Sequence, residues 1–372
     1  MIHGLVEGSI GIQLLPDHII SFAFSILVGT PELLLNDSYY IYEPEDSFPS
    51  VHFFFSIHGW SGSALVWQRN IPAFAAHYRV IVPDLRGHGA SGKPDHGFQV
   101  SRLAMDLKEL VEHVQGKERR ELEGMGKGSD ARKGDWRAIG GSLGCAILWC
   151  YASLFTTTPF THTIFVDQSP LQNLIPSDWT LTHCNRDLNS PSSLLSLQNT
   201  LATSPPDVHL GSISSCLAYL AYPSPDDFEK ISPETRKEDS EFFLGQAMRC
   251  NQVWLGRLMG DHTALDWRSS IAATFGPRGS QKRPKVLVVA SERSGCFPAA
   301  GPLYVVELAR GENGEGEKER VRGVSVSWGG HWCYWEDPEQ FNKLCLEFLD
   351  EKEMVKDGGS GGRVGGKGRG LL

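Results

Sequence analysis

No stretch of this chain is apolar for long enough to cross a bilayer: the run from Ile19 to Val28 falls short of the ~20 residues a spanning helix needs. The N-terminal segment lacks a basic cluster and carries Glu7 and Asp17, so a secretory leader is not expected. Positive charge is also in short supply. A formal net charge of −9 argues against nucleic acid or an anionic membrane as the main partner, since both reward a basic surface. Cysteine is present without a pairing pattern: residues Cys145, Cys150, Cys184, Cys216, Cys250, Cys296, Cys333 and Cys345 show no CxxC and no Cys/His ligand spacing. Most stand beside apolar residues and read as free, mainly buried thiols. These absences lead to the expectation of a soluble, cytoplasmic protein with no cofactor and no metal.

What is present is enough to build a large core. A chain of 372 residues with 41% hydrophobic content fits one α/β domain with insertions better than several small domains. Residues 1–18 have no clear pattern and are expected to form a disordered leader. Ile19 to Val28 and Tyr39 to Tyr42, separated by Pro31 and Asn36-Asp37, read as an early hairpin. Val51 to Ile57 is a continuous apolar strand ending at His58-Gly59-Trp60-Ser61-Gly62. Residues 64–78 have helical spacing, with Trp67, Ile71, Phe74 and Tyr78 as the buried stripe, and Arg79 to Pro83 is a further strand. The loop after it holds Asp84, Arg86 and His88; with two glycines to stabilise, these three are assigned to internal hydrogen bonds and ion pairs rather than to a metal. Val100 to Val114 is a helix. Residues 116–135 are rich in Lys, Arg, Glu and Gly and are expected to be an exposed insertion. From 171 to 270, helical pieces broken by prolines carry Trp179, Tyr219, Tyr222, Phe242, Phe243 and Trp254, most of them expected to be core and a few to line a pocket. This stretch is expected to be a cap over a core made of 19–170 and 271–350. The Gly/Lys/Arg-rich stretch 351–372 is expected to be a disordered tail.

One stretch carries chemistry. Trp136-Arg-Ala-Ile-Gly140-Gly141-Ser142-Leu143-Gly144 runs from a strand-like segment through G-x-S-x-G into the apolar run Cys145 to Phe155. A serine on a tight strand-to-helix turn has its Oγ exposed at a sheet edge, and the new helix presents free N–H groups beside it. Ser142 is therefore the candidate nucleophile, and Leu143 N–H a candidate oxyanion donor. The second match, Gly358-Gly-Ser360-Gly-Gly362, has neither strand before it nor helix after it and carries no weight. The glycine-bearing loop after Ile57 offers a second oxyanion donor, the Trp60 N–H.

The order strand–HGW, strand–PDLRGHGAS, strand–GGSLG–helix, strand–DQSP, helical stretch, strand, helix, strand–GGHW resembles the α/β-hydrolase fold family over roughly residues 40 to 350, and its esterase and cofactor-free haloperoxidase branches most. The resemblance implies an α/β fold: a mostly parallel central sheet with helices on both faces and a helical cap insertion. It implies Ser142 as nucleophile, His331 as general base and an acid between them in sequence. The acid is where the chain departs. The family's aspartate after the penultimate strand is replaced in Ser291-Glu292-Arg293-Ser294. Asp167, ending the strand after the elbow helix, is favoured because that strand end is an alternative seat in this fold; Glu292 is the alternative. The implied activity is cleavage of a small, fairly apolar carboxylic ester, lactone or thioester through an acyl-serine. A perhydrolase or haloperoxidase activity on the same residues, or a catalytically weak ligand-binding homologue, are the other readings. Epoxide hydrolases and haloalkane dehalogenases share the fold but use an aspartate nucleophile, against which Ser142 argues.

Overall fold

The computed structural model describes residues 26–29, 38–42, 52–124, 136–277, 283–314 and 316–350. Eight strands form one sheet: β1 (Ile26–Gly29), β2 (Ser38–Tyr42), β3 (His52–Ile57), β4 (Tyr78–Pro83), β5 (Trp136–Gly141), β6 (Phe160–Val166), β7 (Lys285–Ser291) and β8 (Val321–Val326). Their spatial order is β1-β2-β4-β3-β5-β6-β7-β8. The pairs β1–β2 and β2–β4 are antiparallel, and every pair from β4 to β8 is parallel.

Helices cover both faces, which is why the inner strands are apolar at nearly every position. On β3, Phe53, Phe55 and Ile57 enter one core while Phe54 enters the other. On β7, Val286 and Val288 likewise oppose Leu287 and Val289. The helices are α1 (Ile71–Ala75), α2 (Val100–Gly124), α3 (Leu143–Phe155), α4 (Pro191–Thr203), α5 (Pro205–Cys216), α6 (Ala218–Ala221), α7 (Pro225–Lys230), α8 (Pro233–Met248), α9 (Gln252–Ala264), α10 (Arg268–Phe275), α11 (Ala300–Arg310), α12 (Cys333–Glu336) and α13 (Pro338–Leu349). The first core takes in α2, α3, α10 and α11; the second takes in α1, α12 and α13. None of these helices is long and apolar enough to cross a membrane.

Two expectations about elements need correction. The stripe through residues 64–78 is not one helix: a 3-10 turn at Ala64–Trp67 is followed by α1, and Tyr78 opens β4. Pro72 starts α1 anew after Asn70, whose side chain is spent on Tyr334 O and Asn342 Oδ1, both at 2.9 Å. The helix expected at Val100 to Val114 runs on to Gly124, because Lys117 to Glu123 is made of good helix formers. The exposed insertion placed at 116–135 thus begins as helix, and its remainder lies outside the described residues. So do the leader 1–18, the stretch 351–372 and Ser360. Between β6 and β7 the chain forms α4 to α10, the last of which packs into the first core through Ile271 and Phe275.

Candidate active site

The parallel strands end on one edge of the sheet, and three of them, β5, β6 and β8, lead into the candidate residues Ser142, Asp167 and His331. At the end of β5, Ser142 itself takes the strained backbone, with φ 53° and ψ −121°. The flanking glycines serve close packing rather than the turn's handedness. A Cβ on Gly140 would sit 2.5 Å from the Gly144 carbonyl carbon, and one on Gly144 would collide with Ile57 O at the end of β3. Strand and helix can approach this closely only without those side chains. Ser142 N–H is held by Val166 O at 3.0 Å, and Cys145 N–H returns to Ser142 O at 2.8 Å, so the elbow is fixed on both sides. The Ser142 hydroxyl donates to Gln168 Oε1 at 3.4 Å, a long bond to a residue that the sequence did not single out.

Asp167 follows β6, also with a positive φ of 47°, and is fully buried. One carboxylate oxygen accepts the Ser291 N–H at 2.9 Å; the other meets His331 Nδ1 at 2.7 Å. Glu292 is elsewhere: it is exposed, and its Oε1 accepts the Ser325 hydroxyl at 2.8 Å. Ser294 is buried and caps its own turn, accepting N–H bonds from Cys296 and Phe297 at 3.2 and 3.1 Å.

His331 sits on the loop after β8. A Cβ on Gly330 would lie 2.5 Å from Cys216 O, so glycine is needed for the histidine loop to pass α5. Gly329 O accepts the Ser291 hydroxyl at 2.5 Å, and Gly330 N–H donates to Glu336 Oε2 at 2.6 Å. Glu336 Oε1 also accepts Ala218 N–H at 2.9 Å, tying the histidine loop to the start of α6. Burial drives the Glu336 carboxyl up to about 7 against those two bonds. For His331, burial pulls the imidazole down, but the neighbouring Cys296 thiol's negative form and the bonded Asp167 carboxylate outweigh it and push the ring up to about 9.

The oxyanion candidates stand on either side of Ser142. Leu143 is the first residue of α3, so its N–H has no acceptor within the helix. Trp60 lies in the loop after β3, where a Cβ on Gly59 would be 3.1 Å from Ser142 Cβ. The Trp60 indole N–H donates to Leu255 O at 3.0 Å, joining that loop to α9. Asp84, Arg86 and His88 form no part of this arrangement. Asp84 accepts Ala64 and Ala90 N–H at 2.7 and 2.8 Å, Arg86 pairs with Asp106, and His88 Nδ1 meets Arg86 O at 2.9 Å.

Ser142 and His331 open onto a cavity of about 580 Å³. The sheet loops contribute Trp60, Phe297 and Trp332, and the inserted helices contribute Leu197, Val208 and Met259. Hydroxyls of Ser193, Ser196, Thr200 and Ser212 interrupt this apolar lining. None of the six inserted aromatics lines it. Trp179, Tyr219, Phe243 and Trp254 are buried in helix packing, Phe242 stacks on Trp335, and Tyr222 is largely exposed.

A model of the alpha/beta hydrolase family matches residues 55–344. A soluble epoxide hydrolase from Corynebacterium sp. (strain C12) is 48% identical over 58 residues, which is 16% of this chain and 20% of the relative's length. The chain therefore matches about a fifth of that relative. Among solved structures, bromoperoxidase from Bacillus anthracis superposes with a TM-score of 0.63 at 15% identity, covering 84% of this chain and 95% of its own. The esterase EaEST from Exiguobacterium antarcticum has a TM-score of 0.62 at 14% identity, with coverage of 84% and 96%. At these identities the two structures speak for the fold alone.

Proposed function

The chain belongs to the alpha/beta hydrolase family, and from that premise we propose that it is a serine hydrolase with Ser142 as nucleophile, His331 as general base and Asp167 as the acid that orients it. The observation that carries this reading is the 2.7 Å bond between Asp167 and His331 Nδ1 at the rim of the cavity that Ser142 enters. With Nδ1 engaged, the other ring nitrogen is the one to accept the Ser142 proton as Oγ attacks an acyl carbon. For that step the hydroxyl turns from Gln168 to the imidazole. The oxyanion forming on the substrate is met by the Leu143 and Trp60 N–H groups. Collapse of the tetrahedral species expels the alcohol or thiol, which takes its proton from His331. Water, deprotonated by the same ring, then releases the acid.

The substrate class is a carboxylic ester, lactone or thioester small enough for the cavity, with its apolar part against Leu197, Val208 and Met259. The inserted helices act as the cap that selects it. The relative named as an epoxide hydrolase does not redirect this reading, because an aspartate nucleophile has no counterpart at Ser142. The test pairs a fluorophosphonate probe with a series of p-nitrophenyl esters from acetate to long chains. Wild-type protein labels at Ser142 and turns over short esters, while Ser142→Ala does neither and keeps its melting temperature. Turnover surviving in Ser142→Ala, or a wild-type protein that neither labels nor turns over, overturns the assignment and leaves a ligand-binding homologue.

A further inference from the structure

The cavity holds two thiols that hydrolysis does not use, beside the histidine that it does. Cys216 ends α5, Cys296 lies on the loop after β7, and His331 follows β8; one donor atom from each lies within 4.8 Å of the other two. The sulfurs are 3.6 Å apart. We propose that Cys216, Cys296 and His331 form a binding site for a thiophilic divalent cation of the zinc class.

The sulfur spacing separates this from a disulfide. Two thiolates on tetrahedral zinc, each at about 2.3 Å, stand roughly 3.8 Å apart, whereas a disulfide brings them to about 2.05 Å. At 3.6 Å the resting pair is already close to the first separation. Two sulfurs and an imidazole are also the donor set that favours zinc over magnesium or calcium, which take oxygen. The frame is held before any ion enters. Gly295 N–H donates to Ser215 O at 2.9 Å, Trp332 N–H to Cys216 O at 3.2 Å, and Arg186 N–H to Cys296 O at 2.9 Å. The first two bonds tie the Cys296 and His331 segments to the end of α5, and the third holds the Cys296 carbonyl. Asp167 on His331 Nδ1 supplies the carboxylate that commonly orients a metal-binding imidazole, leaving Nε2 as the donor. All three residues line the cavity, so an ion has a path in and a fourth position open to water. As it binds, whatever protons the two thiols and the donor nitrogen of the His331 ring still carry leave to solvent.

Metal on Nε2 occupies the lone pair that would take the Ser142 proton; capture of Nδ1 instead would break the Asp167 bond, with the same result. The ion is therefore a reversible inhibitor. That consequence, unlike the binding itself, rests on the serine-hydrolase reading.

The full chain, stripped with EDTA and kept reduced, is titrated with Co²⁺ and then with Zn²⁺. One equivalent of cobalt should give visible bands of tetrahedral cobalt and a thiolate-to-cobalt charge-transfer band, both erased by zinc. Cys216→Ser and Cys296→Ser, close in size to the thiols they replace, should each lose the charge-transfer intensity in part and bind at least about 100-fold more weakly, since even an outer-shell change costs ~10–100-fold. Zinc should suppress ester turnover of the wild type, EDTA should restore it, and each variant should resist zinc when measured against its own metal-free rate. Octahedral cobalt without charge transfer, equal affinity in both variants, or isolated wild type whose two thiols are already a disulfide overturns the site. If ester turnover is absent throughout, the cobalt spectrum still decides the site, and only the hydrolase reading falls.

Discussion

Two strand ends in this molecule bury histidine, with opposite results. After β3, His58 accepts Leu85 N–H on Nε2 at 3.0 Å and contacts Gly59 O through Nδ1 at 2.8 Å; its ring lies 5.2 Å from that of His88. Burial pulls His58 down to about 4 and His88 to about 3, so both stay neutral and brace the loop. After β8, His331 is as deeply enclosed, yet the Cys296 charge and the Asp167 carboxylate raise it to about 9. Burial by itself silences an imidazole as a proton carrier. With the charge of Cys296 beside it and the Asp167 carboxylate in contact, an equally enclosed imidazole holds its proton well above neutrality instead.

The sharpest way to break the contrast is Asp167→Asn. The amide keeps a hydrogen-bonding shape but can donate to Nδ1, which favours the wrong tautomer, and it withdraws the charge that stabilises the imidazolium. The expected loss in kcat is up to about 10⁴-fold, by analogy with the same substitution in the serine-protease triad. KM should move much less. A loss below about tenfold would mean that Ser142 and His331 work as a pair without this acid.

The next effect is in pH. With His331 near 9, a general base is mostly protonated at neutrality, so kcat/KM of metal-free protein should rise with pH up to about 9. Cys296→Ser removes the thiol whose charge helps to raise the ring, and the midpoint should fall. Stability follows the two strand ends in opposite senses. His331, raised above its ordinary 6.5, contributes stability fully present below 6.5 and lost as pH climbs through about 9. His58 and His88, depressed, contribute stability present above 6.5 and lost as pH falls toward about 4 and 3. Denaturant midpoints across pH should fall on both sides, and Asp167→Asn should flatten the alkaline side while leaving the acid side alone. An unchanged alkaline slope in that variant would show that Asp167 does not set the His331 proton affinity.

How much of this could be read in the chain depends on distance along it. The strand end bearing Ser142 was legible as a local pattern, a buried strand running through glycines into an apolar helix, whereas Asp167 and His331 were placed by the resemblance. The mostly parallel sheet, too, was implied by that resemblance. The Gln168 contact with Ser142 was not legible, since adjacency to Asp167 does not say which way an amide points. Nor was Glu336, whose bonds to Gly330 and Ala218 join segments 118 residues apart. Cys216 and Cys296 meet across 80 residues through the path of α5 past the β7 loop, and no spacing rule spans that. The helical run to Gly124 went unread for a different reason: charge density pointed to exposure, and exposure does not forbid helix.

The smallest expected effect tests the acid from the other side. Glu292 occupies the stretch where the resemblance places the catalytic aspartate, but its backbone N–H is committed to Val326 O at 2.9 Å and its carboxylate to the Ser325 hydroxyl. An exposed carboxylate with one neutral partner contributes little, so Glu292→Gln should change stability by less than about 0.5 kcal/mol and leave kcat within about twofold of wild type. The amide oxygen can still accept from Ser325, which keeps the comparison with Asp167→Asn one of charge rather than shape. If Glu292→Gln instead costs as much as Asp167→Asn is expected to, the loop after β7 must swing Glu292 onto His331 during turnover. Asp167 would then be the brace of the Ser291 turn, and the second strand end would owe its basic histidine to a residue that reaches it only in the working enzyme.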